Sequence, residues 1–117
     1  MTFSIQSTLS AIKAFEEKMG VTANNIANVE TEEFKKSRAT LNEGPDKTVK
    51  ARITQPETPD PAVVETNRGQ SESKQPSNVD LAEEIPETIV AQRGYDANLS
   101  TVRTMDEMSK SVIDIIK

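Results

Sequence analysis

The sequence predicts a mainly α fold: two long terminal helices packed as a helical hairpin or coiled coil, joined by a short Pro-rich middle segment with room for a small β-hairpin. Three observations predict it. Apolar residues recur at three- and four-residue steps near both ends. Five of the six prolines fall within residues 42–77, which reads as turns and loop. The chain is 34% hydrophobic but only 3% aromatic, so any core is thin and aliphatic and a monomer of 117 residues is marginally stable. The chain is read as one structural unit in three parts, an N-terminal helix with an Asn-rich motif (1–41), the Pro-rich segment (42–77) and a C-terminal helix (78–117).

The first helix is expected over residues 3–28, where Ile5, Leu9, Ile12, Phe15, Met19, Ala23 and Ile26 form an apolar stripe. Gly20 costs roughly 1 kcal/mol there relative to Ala, so a weak point is expected. In the middle, Thr48–Thr54 alternates and places Val49, Ala51 and Ile53 on one face of a strand. Pro61–Glu65 is its expected partner, with Pro confined to the strand's first residue or an edge. Asn67–Ser77 is polar and reads as mobile loop. The last helix carries Leu81, Ile85, Ile89, Leu99, Val102, Met105, Val112, Ile113 and Ile116. Asp80 and Glu83 have capping-box spacing, and Arg103–Glu107 and Asp106–Lys110 are opposite charges four apart. Pro86 lacks the N–H that would reach the Ala82 carbonyl, so the main helix is expected to restart there and run to Ile116. Leu9, Ile12, Phe15, Leu99, Val102 and Ile116 are the expected contact layer between the two helices.

Composition excludes several functions. With no His and no Cys the chain lacks the commonest metal ligands, the near-neutral acid/base residue and the thiolate nucleophile. The net charge of −5 lies mostly in residues 78–117, with eight acidic and four basic side chains, and no basic stripe suits a phosphate backbone. No stretch approaches the ~20 apolar residues of a membrane span, and the N-terminus has neither a basic nor an apolar signal region. The best pieces for an enzyme are Asp80, Glu83 and Glu84, or Ser109-Lys110, and acidic residues in a first helical turn already suit the helix dipole. No catalytic residue, cofactor, metal, nucleic acid, membrane insertion or small-molecule substrate is therefore expected.

Two motifs stand out. The first is Ala23-Asn24-Asn25-Ile26-Ala27-Asn28-Val29-Glu30-Thr31, and the second is Ser77-Asn78-Val79-Asp80-Leu81-Ala82-Glu83-Glu84, which runs on to Ala91-Gln92-Arg93-Gly94-Tyr95-Asp96-Ala97-Asn98. Asparagine is a weak helix former. Asn24, Asn25 and Asn28 therefore read either as a fraying end with Asn28 as a left-handed cap, or as amides that bond to neighbouring helices and fix register.

In order and position the two motifs resemble the terminal signatures of the bacterial flagellar rod and hook axial family. The residues carrying the resemblance are Asn24, Asn25, Ile26, Asn28 and Thr31 in the first motif and Asn78, Val79, Asp80, Gln92, Arg93, Tyr95 and Asn98 in the second. The resemblance implies a structural subunit of the basal-body rod that assembles with itself and other axial subunits by packing of terminal helices. It also implies export by the flagellar type III pathway without a cleaved signal peptide. The short middle segment is most like a small rod protein of the C type, whereas Ser77–Glu84 is closer to the distal-rod and hook pattern. Glu32-Glu33 replaces the family's usual Pro-Gly, so continued helix is expected there. The rival reading is a freestanding helical adaptor or small oligomeric coiled coil that docks a partner through Met19, Met105 and Met108.

Overall fold

The computed structural model describes residues 2–56, 63–67 and 70–116. Helix α1 (Thr2–Ala27) leads into strands β1 (Arg38–Glu43) and β2 (Val49–Thr54), joined by a short 3-10 turn at Pro45–Lys47. Strands β3 (Val63–Asn67) and β4 (Gln70–Lys74) follow, and helix α2 (Leu81–Ile116) ends the chain. The fold is thus the expected helical pair with β-structure between. The two helices run antiparallel: Asn25 meets Glu84, Lys18 pairs with Glu87 at 2.5 Å, and the Phe15 ring lies over Gly94. At 36 residues against 26, α2 continues past the start of α1, and the molecule is elongated, 85 × 23 × 15 Å.

The seam between the helices is narrow, and its fully buried positions are small or polar residues. On α1 it follows Thr8, Ala11, Phe15, Lys18, Thr22 and Asn25, and on α2 Glu84, Thr88, Ala91, Tyr95, Asn98, Val102 and Met105. Both sets advance by alternating steps of three and four. Thr8, Ala11, Thr22, Asn25, Glu84 and Ala91 are buried, whereas Ile12, Phe15, Leu99 and Val102 are half-buried. Leu9, 49% exposed, and Ile116, 80% exposed, lie outside the layer expected to contain them. Leu81, Ile85 and Ile89 also point to solvent. The larger aliphatic stripe lies outside these buried positions.

Strands β1 and β2 pair antiparallel, with Ala39 opposite Ile53 and Leu41 opposite Ala51. Their inner face packs on α1, where the Ser10 hydroxyl accepts the Val49 N–H at 2.9 Å and the Ser7 hydroxyl donates to the Lys47 carbonyl at 2.8 Å. The partner of β2 is therefore Arg38–Glu43, not Pro61–Glu65. A tight turn closed by Gly44 N–H to the Thr48 carbonyl, 2.7 Å, joins the two strands, and Ala39 and Leu41 supply the matching apolar alternation. β1 straddles the boundary drawn at residue 41. Val63–Glu65 belongs to β3, which pairs with β4; Pro61 and Ala62 lie outside the described residues. Gln70–Lys74, expected as mobile loop, is strand.

Two further expectations change. The last helix does not restart at Pro86 but runs unbroken from Leu81. Pro86 removes one N–H, while the first turn is fixed from outside by Glu83 and Glu84 and capped by Asp80, whose Oδ1 accepts the Ala82 N–H at 2.9 Å. Glu32-Glu33 does not continue α1: the helix ends at Ala27 and Glu33 adopts φ 61°, a left-handed conformation uncommon outside glycine. The Glu33 N–H donates to the Gln75 carbonyl at 2.8 Å and holds that turn. Gly20 does not interrupt α1. Of the two expected ion pairs on α2, Asp106–Lys110 forms at 2.6 Å.

A Cβ at Gly94 would fall inside the Phe15 ring. Gly94→Ala is expected to destabilise the helix pair by about 1–3 kcal/mol through overpacking, although alanine is the better helix former. Chemical denaturation of the variant beside the wild type checks this, and equal or higher stability would contradict the packing.

Candidate functional site

The two motifs, some fifty residues apart in the chain, meet at the hinge end of the helix pair. Asn25 lies in the last turn of α1 and is 1% exposed. Its Nδ2 donates to the Ser37 carbonyl at 2.7 Å and to Glu84 Oε2 at 3.2 Å, and its Oδ1 accepts the Ser37 N–H at 3.0 Å. One side chain thus joins α1, the strand entering β1 and the first turn of α2. Its amide is engaged inside the chain, which is neither a fraying end nor a free contact for a neighbour.

The other motif residues divide. Asn28 closes α1: its Nδ2 donates to the Asn24 carbonyl at 2.9 Å, and its Oδ1 accepts the Thr31 hydroxyl at 3.1 Å. This needs no left-handed φ at Asn28. Asn24 and Thr31 are exposed and Ile26 is half-buried. Across the hinge, Asn78 Oδ1 accepts the Lys36 N–H at 2.6 Å, while its buried Nδ2 has no hydrogen-bond partner among the described residues. The Val79 N–H donates to the Ser77 hydroxyl at 3.3 Å, and Asp80 is the helix cap. Gln92 and Arg93 face solvent farther along α2 and Tyr95 is half-buried. The Asn98 amide donates to the Gly94 carbonyl at 2.7 Å. None of these four reaches the hinge.

Beside Asn25 lies an ionic cluster. Glu83 accepts from Lys36 Nζ and from Arg38 Nη2, both at 2.9 Å. The Lys36 hydrogen bond and charge, followed by the Arg38 charge, hold the Glu83 carboxyl below the usual carboxylate range. Glu83 therefore does not complete a capping box; it ties α2 to the segment leading into β1. Lys36, Ser37 and Arg38 were not singled out from sequence, since partners forty-odd residues away for Lys36 and Arg38, and twelve away across a turn for Ser37, leave no local periodicity. Chemically the cluster is a clasp: Glu84 is bound by an amide and Glu83 by two cations. Among the described residues no group of acidic side chains could hold a metal ion, and no helix is long and apolar enough to cross a membrane.

Comparison with known proteins bears on both ends. Residues 5–35 match the family described as flagella basal body rod protein, and residues 75–115 the family described as flagellar basal body rod FlgEFG protein C-terminal. Similar relatives include the flagellar hook protein FlgE of Escherichia coli (strain K12) and of Salmonella typhimurium (strain LT2). Each is 41% identical over 39 residues, 33% of this chain and 10% of that protein. The similarity therefore spans about a tenth of the length of these relatives. Asn25 lies in one matched segment and Glu84 in the other, so the clasp joins the two.

Asn25→Ala leaves the Ser37 backbone groups and the Glu84 carboxylate without their partner, and is expected to destabilise the fold by on the order of 3 kcal/mol. Loss of helicity at lower denaturant concentration checks this. For Glu83, the folded pKa lies below the unfolded value of 4.5. Its stabilising contribution is therefore complete above that value and is lost as pH falls through the folded pKa. Melting temperature followed from neutral pH to about pH 3 should show an acid-side loss. That loss should be smaller in Glu83→Gln and in high salt.

Proposed function

We propose, from the premise that the chain belongs by both of its ends to the flagellar rod and hook axial family, that it is a structural subunit of the basal-body rod. In this reading it assembles with copies of itself and with other axial subunits through its helices, and leaves the cell by the flagellar type III pathway without cleavage. The family is structural and non-enzymatic, and the hinge has the character of a clasp rather than of a reaction site.

The observation that carries assembly is the bare flank of the helix pair. The β1–β2 ribbon covers one side, through Ser7, Ser10 and the ties of Glu83 to Lys36 and Arg38. Ile12 is two residues beyond Ser10, and Ile85 two beyond Glu83, which puts each on the opposite side of its helix. Ile5 and Leu9 on α1, and Leu81, Ile85 and Ile89 on α2, are all exposed. A two-helix layer open along one side calls for further helices to cover it.

Ile85→Asp alters only an exposed side chain, 51% accessible. It should change subunit stability by no more than about 0.5 kcal/mol, yet abolish incorporation and motility. Swimming assays and electron microscopy of basal bodies from a strain carrying the variant check this. If cells lacking the gene swim normally with intact basal bodies and no second copy, the rod reading fails. A defined one-to-one complex with a partner protein would then favour the helical adaptor.

A further inference from the structure

The seam line of α2 does not stop where α1 does. It passes Tyr95, Asn98, Val102 and Met105 at alternating steps of three and four, and the same steps lead on to Ser109, Val112 and Ile116. Phe15 lies over Gly94. Thr2, thirteen residues before Phe15, therefore comes level with residue 107, thirteen beyond Gly94. Residues 108–116 run on as helix with no α1 beside them, for about 13 Å at 1.5 Å per residue. Exposure changes at the same point: Tyr95, Asn98, Val102 and Met105 are half-buried, whereas Val112 and Ile116 are exposed.

Beyond α1 the line also gains bulk. Val112 and Ile116 stand on it with Met108, Ile113 and Ile115 beside them, and all five are exposed, Ile115 by 81% and Ile116 by 80%. Charge is kept off this face. Glu107 lies two residues from both Met105 and Ser109, and Asp114 two from both Val112 and Ile116, which puts each on the opposite side of the helix. Asp106 and Lys110 are paired with each other at 2.6 Å. Five large apolar residues gathered on nine, with the charges behind them, are an interaction surface.

We infer that residues 108–116 are a self-pairing segment, covered by the same residues of a second copy that runs antiparallel about a two-fold axis at Val112. Met108, Val112 and Ile116 are evenly spaced by four, so their row reads alike in both directions. The two-fold sets Met108 opposite Ile116 and Val112 opposite Val112. α1 is itself antiparallel to α2, so the second tail takes the direction of α1 and carries the existing seam onward, over the nine residues that α1 leaves. It also brings Lys110 level with Asp114 of the other copy, twice. The start of α2, with exposed Leu81, Ile85 and Ile89, is a poorer occupant: residues 80–90 carry Asp80, Glu83, Glu84 and Glu87 and no basic side chain, against Glu107 and Asp114 of the tail. Nine residues a side is well below the roughly 20–30 of a stable interface. The pairing is therefore reversible, covering the apolar tail of the free chain and opening when other contacts compete. It goes beyond the rod reading and does not rest on it.

Sedimentation of the full chain over a range of concentrations should show a dimer as the first associated species. Val112→Asp should weaken that step at least tenfold and leave the melting temperature of the dilute chain unchanged, because residue 112 lies beyond α1. The chain has no cysteine, so single cysteines report the geometry under oxidising conditions. Val112→Cys alone should link to itself, and Met108→Cys mixed with Ile116→Cys should link. Neither Met108→Cys nor Ile116→Cys should link to itself, since a disulfide needs Cα atoms within about 7 Å and the two-fold holds these like residues about 12 Å apart along the helices. Ile116→Cys linked to itself would mean parallel tails, and Ile116→Cys linked to Ile85→Cys would mean docking on the bare flank; either overturns the inference. So does a chain that stays monomeric at every concentration, or a Val112→Asp that associates as tightly as wild type. None of these outcomes bears on the rod reading, which is decided by the motility and basal bodies of cells lacking the gene.

Discussion

The buried amide of Asn25 is the interaction on which the rest of the structure depends. The buried apolar positions of the seam are alanines, Ala11 and Ala91, whose methyl groups have little shape to forbid a slide of one turn. A buried amide does forbid it, because donor and acceptor must both be satisfied. Only one register places Ser37 and Glu84 around Asn25 together. The same three bonds fix where the chain leaves α1, where β1 begins and where α2 starts, and so place the ribbon on one flank of the helices. Glu83 reinforces this from the surface, where the individual ion pairs are weak, and Glu33 accepts an unfavourable φ to bring Gln75 and the start of α2 alongside.

That arrangement explains why so little of the chain forms a core. Among the described residues the buried apolar ones are Ala11, Ala14, Ala39 and Ala91, whose methyl groups contribute little hydrophobic free energy each. The larger aliphatic side chains stand on the bare flank and on the end of α2. A chain built this way has a thin core and a large exposed apolar surface, the pattern expected of a subunit proposed to be completed by neighbours.

Both terminal helices were legible in the sequence because periodicity reports them directly, and the resemblance to the rod and hook family was legible because two motifs occurred in order. What periodicity could not reveal was which face each helix turns to the other. The aliphatic stripe at Leu81, Ile85 and Ile89 reads as core, yet the seam runs through Glu84, Thr88 and Ala91, where small size and a satisfied carboxylate decide the packing. The segment Arg38–Glu43 was missed as strand because Ala39 and Leu41 give only two apolar positions. Pro86 was read as a break because local propensity was weighed without the contacts of Glu83 and Glu84 that hold the turn before it. In the hinge, Asn25 and Asn78 were visible as unusual residues, but their partners Ser37 and Lys36 were not, since nothing local marks a contact made across the hairpin.

The placement of the ribbon bears on what kind of assembly can form. A bare helix flank alone could close a dimer, because the same patch on two copies can face itself. The ribbon side of one subunit set against the bare flank of another would join unlike surfaces instead. Contacts between unlike surfaces repeat from copy to copy, and they close only when the rotation between neighbours returns to its start. The outer edge of β2 does not favour the symmetric alternative in which two ribbons meet side by side, since its Val49 N–H is already given to Ser10 of α1. The clasp at Asn25 fixes where the β1–β2 ribbon lies on the helices, and so which flank of the helix pair is left bare.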